Sequence, residues 1–119
     1  MHSVLIIEDA LDILLLAQMC LETEGWIVYT AETGALGLAA AAAQPPDVIL
    51  LDSRLPDSEG WEVLAKLRAA PETGRIPVVL FSASQDPRYQ ELDLQGSIPK
   101  PFNALTLAQE LGAFLPDSI

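Results

Sequence analysis

Pro46-Asp47-Val48-Ile49-Leu50-Leu51-Asp52 is the stretch on which the fold of this chain turns. Four consecutive apolar residues end on a carboxylate, and the break Ser53-Arg54-Leu55-Pro56-Asp57 follows at once. An apolar run of that length, bounded by prolines on both sides, is the pattern of a strand buried on both faces. A carboxylate at the C-terminal lip of such a strand, in an open parallel sheet, stands where ligand crevices form. Asp also opens loops for purely local reasons, so the stretch alone leaves two readings of Asp52 open.

On its N-terminal side, Pro45-Pro46 closes an alanine-rich helix expected over residues 34–44, with Thr33 as its N-cap. Alanine favours helix but buries little area, so this helix should pack close to the sheet. Residues 26–30, β-branched and aromatic, predict a second strand, and residues 3–7 a first one ending at Glu8-Asp9. Between them, Leu11, Leu14, Leu15, Gln18, Met19 and Glu22 follow helical spacing, with Ile13 and Leu16 widening the apolar face. Asp9 or Asp12 can serve the amino end of that helix, and Gly25 its stop.

On the C-terminal side, residues 55–60 form a turn-rich connection. A third helix carries Trp61, Leu64, Ala65 and Leu67, with Glu62 and Lys66 spaced as an ion pair, and stops at Pro71. Residues 76–81 predict a fourth buried strand ending at Ser82. Asp86-Pro87 starts a helix with room for only about two turns before Gln95-Gly96. Ser97-Ile98-Pro99 is a short strand whose proline suits an edge. Asn103 caps a last helix with Ala104, Leu107, Ala108, Leu111, Phe114 and Leu115 inward, closed by Pro116. Strand and helix thus alternate five times, which predicts an α/β fold: a doubly wound, five-stranded parallel sheet with helices on both faces and a shortened fourth helix. Its crevice lies at the carboxyl ends of the strands.

The 119 residues suit one domain with a single core, and half of them are hydrophobic, which excludes a disordered chain. Acidic residues number 17 against 6 basic ones, for a formal net charge of −11. That field repels phosphate backbones and anionic surfaces, so neither direct nucleic-acid binding nor membrane association is expected. Cys20 is the one cysteine, which excludes an intrachain disulfide and a cysteine metal cage, and it is expected to be buried. The longest uncharged apolar stretch, residues 35–43, is shorter than the roughly 20 residues a membrane span needs. Met1-His2-Ser3 leads straight into a strand without a basic leader. The expectation is a cytoplasmic chain whose residues 1–119 form one domain, with no effector domain.

Polar residues line up at the predicted strand ends. Glu8 and Asp9 close the first strand, Asp52 the third and Ser82 the fourth, and Lys100 follows the fifth. Each has a bland alternative: acidic residues favour helix starts, a serine can bond the backbone, and a lysine can be solvated. Their coincidence at successive lips favours the chemical reading. Three carboxylates at one lip repel unless a cation sits among them. Oxygen ligands without histidine or cysteine select a hard cation such as Mg²⁺. With a serine hydroxyl and a lysine beside them, they describe metal-assisted phosphoryl transfer to a carboxylate nucleophile.

The chain resembles the receiver domain of two-component response regulators, of the single-domain, chemotaxis-regulator type. The resemblance rests on Ile6-Ile7-Glu8-Asp9, Val48-Ile49-Leu50-Leu51-Asp52, Leu55-Pro56-Asp57-Ser58-Glu59-Gly60, Val78-Val79-Leu80-Phe81-Ser82-Ala83 and Pro99-Lys100-Pro101-Phe102. It implies a flavodoxin-like sheet of order 2-1-3-4-5. Asp52 would accept a phosphoryl group from a sensor histidine kinase or histidine phosphotransfer protein and signal through an output protein still unknown. Asp9 would bind Mg²⁺ directly, Glu8 through water, Asp52 itself and the Arg54 backbone carbonyl beside them. Ser82 would move onto the phosphoryl group, Lys100 would pair with it, and Ala83 would leave it accessible. The Lys100-Pro101 peptide would be cis. The protein would be a monomer or weak dimer that catalyses only its own phosphorylation and dephosphorylation. The chain departs from the family at Ser97, where an aromatic switch residue is usual, and in its short segment 82–100. Those departures favour, as the alternative, a non-switching receiver-like interaction module; a receiver domain cut from a larger regulator is a further alternative. Arg54 also stands where aspartyl-phosphate hydrolases carry a second aspartate, against turnover of external substrates.

Overall fold

Every central strand of this protein is apolar on both sides, so it can be stable only between two layers of helix. The computed structural model describes residues 2–115. Its elements are β1 (Ser3–Ile7), α1 (Leu11–Thr23), β2 (Ile27–Ala31), α2 (Gly34–Ala43) and β3 (Val48–Leu51), then α3 (Gly60–Ala69), β4 (Val78–Leu80), α4 (Arg88–Glu91), β5 (Gly96–Ser97) and α5 (Leu107–Gly112). The strands form one parallel sheet in the order β2-β1-β3-β4-β5, the doubly wound, flavodoxin-like arrangement expected.

Side chains alternate across the sheet, and the two faces make two cores. Ile49 and Leu51 of β3 join Leu5, Ile7, Val63, Leu64 and Leu67 on the side of α2 and α3. Val48 and Leu50 join Val4, Ile6, Leu14, Leu21, Leu107 and Leu111 on the side of α1 and α5. All four β3 side chains are fully buried. Each stabilises the fold by about 1.5–3 kcal/mol through removal of apolar surface from water. The alanine-rich α2 does pack close: a Cβ on Gly37 would stand 2.5 Å from Ile7 Cδ1, so only glycine fits there. Thr33 caps α2 as expected, its hydroxyl accepting from the Leu36 amide at 3.1 Å.

Several local expectations are corrected. Helix α1 buries Leu14, Ala17 and Leu21, whereas Leu11, Leu15, Leu16 and Met19 are exposed. Ala10 takes the N-cap position without a side-chain cap, Asp12 serves the amino end only as the acidic residue of the first turn, and Cys20 is only half-buried. No Glu62–Lys66 ion pair forms among the described residues. The Glu62 carboxylate instead accepts from the Glu59 amide at 2.8 Å, as half of a capping box at the start of α3. Helix α4 has one turn rather than two. Strand β5 lies at residues 96–97 rather than 97–99. Helix α5 begins at Leu107, because Asn103 spends its side chain on a local turn to the Leu105 amide, which leaves Ala104 exposed. The expected stop at Pro116 lies outside the described residues.

Register is what positions the site. Ala31, Ile7, Leu51, Leu80 and Ser97 form one row across all five strands. Glu8 and Asp52 each stand one residue beyond that row on neighbouring strands, and Ser82 stands two beyond it. The ladder runs one step past the strands, with the Asp52 amide donating to Ile7 at 3.0 Å and the Phe81 amide to Leu51 at 2.7 Å.

Candidate functional site

Adjacent parallel strands force Glu8 and Asp52 together, and the fold then buries both carboxylates. Asp9, next along from Glu8, is exposed at the mouth. Oxygens of Glu8, Asp9 and Asp52 lie within 4.8 Å of one another. Lys100 reaches back from the far edge of the sheet to meet them. Its Nζ donates to Glu8 Oε1 at 2.7 Å and to Asp52 Oδ1 at 3.2 Å, while the Ala10 amide donates to Glu8 Oε2 at 3.1 Å. The Lys100-Pro101 peptide is cis, as the resemblance implies.

Burial pushes the Glu8 carboxyl above its ordinary value; the Lys100 ammonium and the Ala10 amide pull it back down, and Asp52 adds to the rise. Burial works to lower the Lys100 ammonium, but its bond to Glu8 and the charges of Asp52 and Glu8 outweigh that and hold it above its ordinary value. Three carboxylates against one ammonium leave two negative charges uncompensated. An all-oxygen donor set with that excess fits a hard divalent cation. The cluster therefore supports a divalent metal site.

Ser82 stands beside this cluster. Its Oγ accepts from Ser53 Oγ at 3.0 Å and from the Ser84 amide at 3.2 Å. Arg54 lies in the loop two residues past Asp52, where it bridges to Glu59, and its side chain lines an open cleft of about 380 Å³ with Ser53, Trp61 and Tyr89. All five residues singled out at the strand ends thus gather at one end of the sheet. Sequence reasoning missed three others. Ser53 carries the hydroxyl that reaches Ser82. Tyr89, buried on α4, directs its hydroxyl at the Ser53 carbonyl, 3.5 Å away. Asp57 ties the loop after Asp52 to the start of α2, accepting from the Gly34 and Ala35 amides at 2.8 and 2.9 Å. Those two bonds hold its carboxyl below the usual range. Tyr89 carried no signal in the sequence, whereas Asp57 stands within the Leu55-to-Gly60 motif and Ser53 could have been suspected from its place beside Asp52.

Comparison with known proteins bears on this geometry. Residues 4–112 match the family described as the response regulator receiver domain. The probable transcriptional regulatory protein TcrX of Mycobacterium tuberculosis is 37% identical over 117 residues, covering 95% of this chain and 49% of that protein. The chain spans about half or less of the length of the curated relatives it matches. The chemotaxis response regulator CheY4 of Vibrio cholerae superposes with a TM-score of 0.90 at 28% identity, covering 97% of this chain and 99% of that one. The receiver domain of the sensor histidine kinase PA1611 of Pseudomonas aeruginosa has a magnesium ion coordinated in its active-site cleft. It superposes with a TM-score of 0.85 at 25% identity, covering 95% and 96% of the two chains. Among the described residues no helix is long and apolar enough to cross a membrane. With its sheet order, its acidic cluster and the match over nearly its whole length, the chain belongs to the receiver domain family of two-component response regulators.

Proposed function

We propose that Asp52 is the phosphoacceptor of this receiver domain, and that residues 1–119 act as a single receiver module. The observation that carries the reading is the Lys100 ammonium held between Glu8 and Asp52, within a cluster two charges too negative. A carboxylate oxygen of Asp52 attacks the phosphorus of a phosphohistidine. The P–N bond breaks, and the imidazole leaves with its electron pair and takes up a proton. Glu8, Asp9, Asp52 and the Arg54 backbone carbonyl would hold Mg²⁺, which when bound offsets the charge gathered between the carboxylates and the phosphoryl oxygens. Lys100 passes from Asp52 to a phosphoryl oxygen, and the Ser82 hydroxyl donates to another. These residues act only on the chain's own acyl phosphate, so the protein catalyses its own phosphorylation and dephosphorylation.

The partner is a sensor histidine kinase or a histidine phosphotransfer protein, which suits a cytoplasmic location and a monomer or weak dimer. The output lies with another protein or with further residues of a longer regulator. The test is incubation with acetyl phosphate and Mg²⁺, followed by intact mass. Wild type gains one phosphoryl group and Asp52→Asn gains none; equal labelling of both would overturn the assignment. Exposed Ser97 on a two-residue β5 favours a second reading, a receiver-like interaction module that does not switch. A wild-type protein that stays unlabelled would support it.

A further inference from the structure

Side chains at alternate positions link the site to α4. Ser82 Oγ accepts from the Ser84 amide at 3.2 Å, Ser84 Oγ from the Asp86 amide at 3.3 Å, and Asp86 Oδ1 from the Arg88 amide at 3.0 Å. Each is a local turn of a short polar side chain onto the backbone two residues ahead. In series they run from Ser82 to the first residue of α4. Arg88 is pinned in turn, bonded to both oxygens of Asp86 and stacked 4.1 Å above the Trp61 ring.

The series returns to its origin through the next residue. Tyr89 is 3% exposed and packs in the core beneath α3. Its hydroxyl meets the Ser53 carbonyl at 3.5 Å, and that carbonyl also accepts from the Gly60 amide at 2.8 Å. Ser53 Oγ donates back to Ser82 Oγ, which closes a ring beside Asp52. Burial, with the charges of Asp86 and Glu59 adding to it, pushes the Tyr89 hydroxyl up to about 12, so it remains a donor. An O–H to carbonyl contact of 3.5 Å is weak and readily exchanged. Tyr89 also forms a wall of two clefts. One faces Ser53 and Arg54; the other, of about 150 Å³, is bounded by Ser84, Leu94 and the small, exposed Ser97.

We propose that Tyr89 is the positioning residue through which α4 responds to the state of Asp52. The inference rests on the reading of Asp52 as phosphoacceptor. When Ser82 Oγ turns to a phosphoryl oxygen, it draws away from the Ser84 amide, and the series of turns behind it relaxes. Arg88 and Tyr89 then shift, and the phenol exchanges the Ser53 carbonyl for the cleft beside Ser97.

The chain has two tyrosines, Tyr29 and Tyr89, so 3-fluorotyrosine labelling of the full chain yields two ¹⁹F resonances, assigned with Tyr29→Phe. With acetyl phosphate and Mg²⁺, wild type gains one phosphoryl group by intact mass, and the Tyr89 resonance moves by more than its linewidth while that of Tyr29 stays. Asp52→Asn gains no mass and its resonances stay. Ser84→Ala, which removes the next link of the series, gains the phosphoryl group with the Tyr89 resonance unmoved. A labelled wild type with a stationary Tyr89 resonance overturns the inference and spares the phosphoacceptor. So does a Ser84→Ala protein whose Tyr89 resonance moves as in wild type. A wild type without mass gain overturns both.

Discussion

Lys100 Nζ lies 2.7 Å from Glu8 Oε1, joining residues 92 apart in sequence at the floor of the site. Glu8 is buried, its other oxygen accepts from the Ala10 amide, and among the described residues Lys100 is the one cation bonded to it. Lys100→Met leaves that carboxylate buried without compensation. The expected cost is about 2–3 kcal/mol by urea unfolding at neutral pH, in line with removal of one member of a buried pair. Added Mg²⁺ should restore more stability to the variant than to wild type. A variant as stable as wild type without the ion would show that Lys100 does not neutralise the cluster.

Removing charge from the mouth has the opposite sign. Asp9 is exposed, so Asp9→Ala disturbs no packing and relieves repulsion within the cluster. The variant should melt at or above the temperature of wild type in the absence of divalent ions. Saturating Mg²⁺, at a hundredfold excess over its dissociation constant, stabilises wild type by about 2.7 kcal/mol, several degrees in Tm. It should not move the Tm of Asp9→Ala. Equal rises would place the ion elsewhere.

Asp57 provides the pH dependence. Its carboxyl is held below the ordinary range by the Ala35 and Gly34 amides, so the folded state favours the ionised form. A depressed folded value contributes stability that is fully present above the unfolded value of about 4 and is lost as pH falls through the lower, folded one. Asp57→Asn should therefore melt below wild type at neutral pH, and the gap should close in acid. Thermal scans across that range check both.

Gly60 occupies a position with no room for a side chain. A Cβ there would stand 2.5 Å from the Asp52 carbonyl oxygen, 2.7 Å from the Tyr89 hydroxyl and 2.9 Å from Ser53 Cα. Gly60→Ala should destabilise the protein by about 1–3 kcal/mol. It should also slow labelling by acetyl phosphate, since the displaced backbone carries Asp52, the proposed phosphoacceptor. Labelling at the wild-type rate would show that the loop can absorb the change.

The layout of the sheet was legible because burial on two faces leaves unbroken apolar runs, as in Val48 to Leu51. The face of α1 was not. Leu11, Leu15 and Met19 form an apolar stripe as regular as that of Leu14, Ala17 and Leu21, and only contact with the sheet selects between them. The strand-end residues were legible because their types are costly to assemble without a purpose. Arg68 was invisible for the converse reason. Its guanidinium donates to four backbone carbonyls, those of Gly74, Ile76, Leu92 and Asp93, and carbonyls leave no mark in a sequence. Tyr89 escaped notice because a four-residue helix is too short to display a period.

That single turn of helix sets a gradient of stiffness across the molecule. A lone turn fixes several backbone angles for very few internal hydrogen bonds, so α4 can open locally at little cost, whereas β3 can open only when both cores do. Amides at 88–91 should exchange with solvent deuterium orders of magnitude faster than those of Val48 to Leu51. Asp52 would thus extend from a slowly exchanging strand, and the segment facing it across Ser53 would be a fast-exchanging one.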